Sequence, residues 1–250
     1  MAFEILVGGV GDAFSLDHYG THFLLKKDGF VLAIDCPDDF RRGLRDHRFS
    51  DQAVPLEVNE IDALYLTHLH GDHVNGLEMT LAYRALGLNA GPLPIYGLDE
   101  VLDDLWPRRL QVSLGRMYDG ERWSQLSAER FFAPRPLSLE ASNQIGPFGI
   151  ELHLTRHHLT TTAMKITDGH RSMAYSCDTA FDRELIDWLA DGADLIFHEC
   201  TFGAAHTQFH QLQTLPEEIQ QRIVLVHYPN AMVGMDTGAM RMARQGERFE

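Results

Sequence analysis

The sequence predicts an α/β protein of layered sheets and helices, with its chemistry gathered at one edge of the sheets. Three observations carry that expectation. Apolar runs of strand length alternate with helical patterns along the chain. Several of those runs end directly in a polar or histidine-bearing loop. No internal repeat, low-complexity tract or long linker breaks the succession, and 250 residues with 44% hydrophobic side chains suffice for a full core in one domain over 1–250.

Taken in order, Phe3–Val7 reads as a strand ending in the glycine-rich turn Gly8–Gly11. His22–Lys27 and Phe30–Ile34 are joined by Asp28-Gly29, a dipeptide suited to a tight hairpin. Ile61–Leu66 is a buried strand that runs straight into Thr67-His68. Val74, Leu77, Leu81 and Leu86 then recur at helical spacing, with Gly87 as the stop. Pro94–Gly97 reads as a short strand and Asp99–Trp106 as a helix; residues 107–141, where Trp106, Trp123, Phe131 and Phe132 are scattered among prolines and charges, read as an insertion or lid.

In the second half, Gly149–Thr155 alternates as a strand, and Ala163–Thr167 and Arg171–Ser176 flank Asp168-Gly169-His170 as a second hairpin. Asp182–Ala190 is an amphipathic helix stopped by Gly192. Asp194–Phe197 and Ile223–Val226 are buried strands with a helix beginning near Pro216 between them.

The bulk charge narrows the function classes. Asp and Glu outnumber Lys and Arg by 36 to 21, giving a formal charge of −15. A protein that grips a long nucleic acid draws most of its affinity from cationic contacts to phosphate, so a small-molecule substrate is expected. No apolar run reaches the ~20 residues of a membrane span. The opening MAFEILVGGVGDAF lacks a basic segment and soon carries Asp12, so it reads as a first strand and not a signal peptide. Three scattered cysteines (Cys36, Cys177, Cys200) make no disulfide framework and suit a reducing cytoplasm.

The chemistry concentrates in Thr67-His68-Leu69-His70-Gly71-Asp72-His73, where four potential ligands fall within six residues just after a buried strand. In extended backbone, residues two apart share a side, so His68 and His70 can converge on one ion. Gly71 permits a tight turn, after which Asp72 and His73 at a helix start can face a second ion, with the helix N-terminus favouring the Asp carboxylate.

This motif resembles that of the metallo-β-lactamase-fold superfamily. Later landmarks extend the resemblance over nearly the whole chain: Gly8–Gly11, Ile34-Asp35, a histidine near 157, Ser176-Cys177-Asp178-Thr179 and the strand ending at His227. The resemblance implies a four-layer αβ/βα sandwich with a two-metal site at its edge. It implies one ion on His68, His70, His157 and Asp178, and another on Asp72, His73, Asp178 and His227. The third histidine is His157 or His158; alternation along Ile150, Leu152 and Leu154 favours His157, and so does the resemblance, since similar proteins carry a small-then-large pair six and seven residues on, matched by Ala163-Met164.

Phe197-His198-Glu199-Cys200-Thr201 is similar to the His-Glu-Ala-Thr loop of the ribonuclease Z and cyclic-phosphodiesterase branch. By that similarity His198 is the candidate general acid with Glu199 orienting it, Asp72 joins it as a catalytic candidate, and His206-Thr207 is a further polar element. No basic arm of the kind that grips tRNA is present, and the second ligand of the motif is histidine, unlike the flavodiiron pattern.

The expected activity is hydrolysis of a small phosphodiester by a hydroxide bridging two divalent ions. Imidazole and carboxylate ligands favour Zn²⁺, with Mn²⁺ and Fe²⁺ as alternatives. Other readings of the same site are a lactone, ester or thioester hydrolase, a mononuclear iron oxidoreductase of the persulfide-dioxygenase type, and a metal-bound sensor. A homodimer is compatible with all of them.

Overall fold

A computed structural model describes residues 3–250. β1 (Glu4–Gly9), β2 (His22–Lys27), β3 (Phe30–Ile34), β4 (Ala63–Tyr65) and β5 (Leu93–Gly97) make most of a first sheet. A separate hairpin follows, β6 (Arg116–Tyr118) with β7 (Trp123–Gln125), before β8 (Phe132–Pro136) returns to that sheet beside β5. The second sheet comprises β9 (Asn143–Ile145), β10 (Phe148–Leu154), β11 (Thr162–Thr167), β12 (Ser172–Tyr175), β13 (Leu195–Glu199), β14 (Ile223–Val226) and β15 (Arg241–Met242). β16 (Arg248–Phe249) crosses back to pair with β1.

The strand orders are β16-β1-β2-β3-β4-β5-β8 and β15-β14-β13-β12-β11-β10-β9. Both sheets follow one plan. Antiparallel strands on one side, β1 to β3 and β10 to β12, give way to parallel strands, β3-β4-β5-β8 and β12-β13-β14-β15. Parallel pairing puts the carboxyl ends of β3, β4, β12, β13 and β14 at common edges, which is where open α/β sheets place their ligands. The predicted hairpins are both present. Asp28 and Gly29 have φ of 50° and 86°, the doubly left-handed turn that matches strand twist.

Aromatic side chains hold the two sheets face to face. Phe23 meets Tyr175 and Phe197 edge-on at 4.9 and 5.0 Å, and Phe3 meets Phe148 at 5.4 Å. Edge-to-face rings contribute about 0.5–1.5 kcal/mol beyond the area they bury. Helices α1 (Phe40–Asp46), α2 (Gly71–Val74), α3 (Leu77–Ala82), α4 (Asp99–Asp104) and α5 (Gln111–Leu114) belong to the first half, and α6 (Arg183–Ala190) to the second. α1 packs on β1, α4 on β5 and β8, and α6 on β12, so helices cover both sheets in the αβ/βα sandwich that the sequence implied. In α6 the Asp182 carboxylate accepts from the Glu184 and Leu185 amides, while Leu185, Ile186 and Leu189 face the core.

The helix beginning at Asp99 does not stop before Pro107. A widened, π-type turn over 105–110 accommodates the proline and carries the helix on to Leu114. Within residues 107–141, β8 is an edge strand of the first sheet and Phe131 and Phe132 are buried. The part that projects is the β6–β7 hairpin, where Arg116 stacks over the exposed Trp123 ring at 4.3 Å. Among the described residues no helix is long and apolar enough to cross a membrane.

Gly76, between α2 and α3, packs directly on the backbone after β3. Its amide donates to the Cys36 carbonyl, the Cys36 amide donates to the His73 carbonyl, and a Cβ at 76 would fall 1.9 Å from the Pro37 carbonyl oxygen. Backbone cannot swing aside as a side chain can. Gly76→Ala is therefore expected to lower unfolding stability by about 1–3 kcal/mol in urea titration, whereas Gly91→Ala, at an open position with an ordinary φ, should lie within about 0.5 kcal/mol of the parent.

Candidate metal centre

The residues that build the site sit where strands end. Asp35 follows β3, Cys177 lies two residues past β12, and His227 follows β14; these three adopt left-handed backbone with φ of 62°, 49° and 50°. Such conformations cost non-glycine residues about 1 kcal/mol or more and persist only when surroundings over-determine them. Their clustering at one edge marks the site before any side chain is considered. The Thr67–His70 segment leaves β4 in extended form, and α2 then begins at Gly71, presenting Asp72 and His73 from its first turn.

Two groups of ligand atoms result, each lying within 4.8 Å of one another: His68, His70, His157 and Asp178 in the first, Asp72, His73, Asp178 and His227 in the second. In the first, His70 Nδ1 lies 3.1 Å from His68 Nε2 and 2.9 Å from His157 Nε2, while Asp178 Oδ2 is 3.8 and 3.7 Å from the latter two nitrogens. In the second, Asp178 Oδ1 lies 3.3 Å from His73 Nε2 and 3.7 Å from His227 Nε2, and Asp72 Oδ2 is 3.5 and 3.1 Å from the same two atoms. The two oxygens of Asp178 thus face different groups. Tetrahedral ligands about 2.0 Å from zinc sit about 3.3 Å apart, close to the observed spacings.

The residues also fit a cation by what they leave unpaired. His73 Nε2 and Asp178 Oδ1 are buried without a hydrogen-bond partner although they lie 3.3 Å apart. A buried polar atom left unsatisfied costs about 1–3 kcal/mol, and a divalent ion between such atoms satisfies them together. Five imidazoles and two carboxylates, with no thiolate among them, make a donor set suited to zinc and its borderline neighbours.

Behind the ligands, second partners hold the rings. Asp35 accepts from the Thr67 amide and hydroxyl and from His73 Nδ1 at 2.7 Å; the Thr67 hydroxyl also lies 3.0 Å from His68 Nδ1. His157 Nδ1 donates to the Ala205 carbonyl. Outer partners of this kind set ring orientation and tautomer. Burial pushes His68 well below the usual imidazole range and His157 down to about 4, leaving both neutral as ligands must be. His73 and His227 move the other way. Burial opposes their charge, but Asp178, aided by Asp35 and Asp72 respectively, outweighs it and raises both. Without cations, protons compensate the buried carboxylates.

All seven residues expected as ligands are therefore brought together, and His157, not the exposed His158, is the histidine that enters the cluster. His198 is not among them. Side chains alternate along β13, so Glu199 faces the cluster and His198 the opposite side, where its Nδ1 donates to the Glu199 carbonyl and its Nε2 is buried without a partner.

His206 stands beside the cluster on the side that Glu199 faces. His206 Nδ1 donates to Glu199 Oε1 at 3.0 Å, and its ring stands 5.0 Å from His157 and 5.8 Å from His227. Glu199 also accepts from the Thr179 amide, and burial together with nearby Asp178 pushes its carboxyl well above the usual range. Period-two alternation along β13 puts His198 and Glu199 on opposite faces but leaves open which of them turns inward. Asp35 was legible only as a landmark at the end of β3; its bracing role depends on partners 32 and 38 positions away.

Asp35→Ala would strip three buried donors of their acceptor. Unfolding stability is expected to fall by about 3 kcal/mol in chemical denaturation, with Asp35→Asn falling less because the amide oxygen still accepts.

A family model described as anti-Pycsar protein Apyc1 matches residues 3–249. Relatives of that name include one from Bacillus phage BSP38, 32% identical over 98% of this chain and 97% of its own length, and one from Paenibacillus harenae, 30% identical over 99% of both. Among solved structures, the metallo-β-lactamase fold protein YhfI from Bacillus subtilis aligns over 100% of this chain and 99% of its own with TM-score 0.74 and 20% identity. The short form of human tRNase Z aligns over 99% and 98% with TM-score 0.72 and 18% identity. The sandwich is the metallo-β-lactamase fold, and the chain belongs to the anti-Pycsar protein Apyc1 family.

Proposed function

We propose that this metal-dependent hydrolase is a binuclear phosphodiesterase acting on a small phosphodiester, with a cyclic nucleotide as the substrate class. The observation that carries the reading is the division of the Asp178 oxygens between two complete ligand groups. His68, His70, His157 and Asp178 would hold one divalent ion; Asp72, His73, Asp178 and His227 would hold the other. Zn²⁺ suits the donors best, with Mn²⁺ and Fe²⁺ as alternatives. A cyclic diester presents phosphorus and both ester oxygens in one compact molecule and needs no extended basic groove, in keeping with a net charge of −15. Three free, buried cysteines suit a reducing cytoplasm.

When bound, the cation pair would acidify a water molecule and polarise a phosphoryl oxygen. The remaining work falls to the chain. Asp72, partly exposed at the edge, orients the attacking water. The water oxygen bonds to phosphorus, and the bond from phosphorus to the leaving oxygen breaks with its electron pair on that oxygen. His206 delivers a proton there from Nε2, the ring nitrogen that Glu199 does not hold. The proton released by the attacking water restores the imidazolium.

Elemental analysis of purified protein is expected to return two divalent ions per chain, and Asp178→Ala fewer than two. The parent should cleave bis(p-nitrophenyl) phosphate and cyclic nucleotides, and chelation should abolish both activities. Turnover of lactones or thioesters instead would replace the phosphodiester reading, and a single iron would replace the binuclear one. His206→Ala should lower kcat by about 10²–10⁴-fold with both ions retained, while His198→Ala should change kcat by less than about tenfold.

A further inference from the structure

Two exposed phenylalanines lie on loops rooted at the His206 side of the site, and the mechanism above does not use them. Phe14 and Phe202, on separate loops, are 89% and 67% exposed. Exposed rings this large call for an explanation when their loops adjoin a functional centre. Asp12 ties their loops together: its Oδ1 accepts from the Phe14 amide and its Oδ2 from the Thr201 hydroxyl at 2.7 Å, and the carboxylate itself is buried. The two phenylalanines are therefore each within two residues of one internal hydrogen-bonded anchor.

Both loops are rooted in the cluster. The Phe202 loop leaves β13 at Glu199 and returns through His206. The Thr201 amide donates to the Thr207 carbonyl, the His206 amide donates to the Gly203 carbonyl, and the Ala205 carbonyl accepts from His157. Gly203 takes φ of 103°, and its carbonyl accepts from the His206 amide, so the turn behind Phe202 is tied to the backbone of the proposed proton donor. The Phe14 loop is joined at Gly11 to Tyr228, the residue after His227, by a bridge between backbones.

We propose that Phe14 and Phe202 form the nucleobase platform of the enzyme. This rests on the phosphodiesterase reading above. The proton donor must face the leaving oxygen, so the organic group carried by that oxygen lies on the His206 side, where the loops that carry the two rings are rooted. With 36 acidic against 21 basic residues, the chain has little cationic surface with which to capture the substrate. Stacking on an exposed aromatic ring supplies affinity without regard to charge and tolerates any base.

The test compares two diesters that differ only in the base: a 3′,5′-cyclic nucleotide, and 1-deoxyribose 3′,5′-cyclic phosphate followed by phosphorus NMR. For Phe202→Ala and for Phe14→Ala, KM for the cyclic nucleotide is expected to rise roughly tenfold with kcat within about twofold. KM for the base-free diester should stay at the parent value, and Phe202→Trp should restore the nucleotide KM. Equal changes for both diesters, an unchanged nucleotide KM, or an altered oligomeric state as the sole effect would overturn the platform. Equilibrium dialysis of the cyclic nucleotide against chelator-treated protein separates the two readings. Parent binding that Phe202→Ala loses supports the platform even where no diester is hydrolysed, whereas equal retention by parent and variant, or no binding by either, refutes it.

Discussion

The architecture depends on one buried carboxylate. Asp178 is almost wholly enclosed, its oxygens point toward two different groups of imidazoles, and one oxygen has no hydrogen-bond partner. An isolated ionised carboxylate in such a place would be strongly unfavourable. It is tolerable because His68, His73, His157 and His227 surround it and because the site can accept positive charge. The rest of the edge can be understood as what brings those rings within reach.

Reaching it requires strands from both sheets to end at the same level and then turn sharply. Parallel pairing supplies the common level, with β3 and β4 on one side and β12, β13 and β14 on the other. Left-handed backbone at Asp35, Cys177 and His227 supplies the turns. The strain is held in place by hydrogen bonds such as those converging on Asp35 and by tight backbone contact at Gly76. Burial elsewhere in the sandwich, including aromatic contacts between the sheets, offsets a costly edge.

The same edge organises charge and surface. Cationic side chains are sparse and the ligand cluster is buried except where His70, Asp72 and His157 reach the surface, while the loops beyond it expose apolar rings. The buried Asp12 carboxylate couples two of those loops much as Asp35 couples the two segments behind the ligands. In both cases an acid with no direct place in the cluster determines where other residues stand.

Much of this was legible in the chain itself. Apolar alternation and the turn residues at 28–29 and 168–170 located the strands and hairpins, because those signals are local backbone chemistry. The His68–His73 run announced a metal loop because strand and helix periodicities convert that spacing into convergence. The helix through Pro107 was not legible, since a widened turn overrides the usual stop. Nor was the framework role of Phe131 and Phe132, which depends on pairing with a strand some forty residues earlier. By itself the sequence determined the layered α/β plan and the residue types available for chemistry. Tertiary structure alone decided that Glu199 and not His198 turns inward, that His206 joins it, and that Asp35 steadies His73. Those outcomes depend on which face of a strand meets which distant loop, and local spacing carries no record of that.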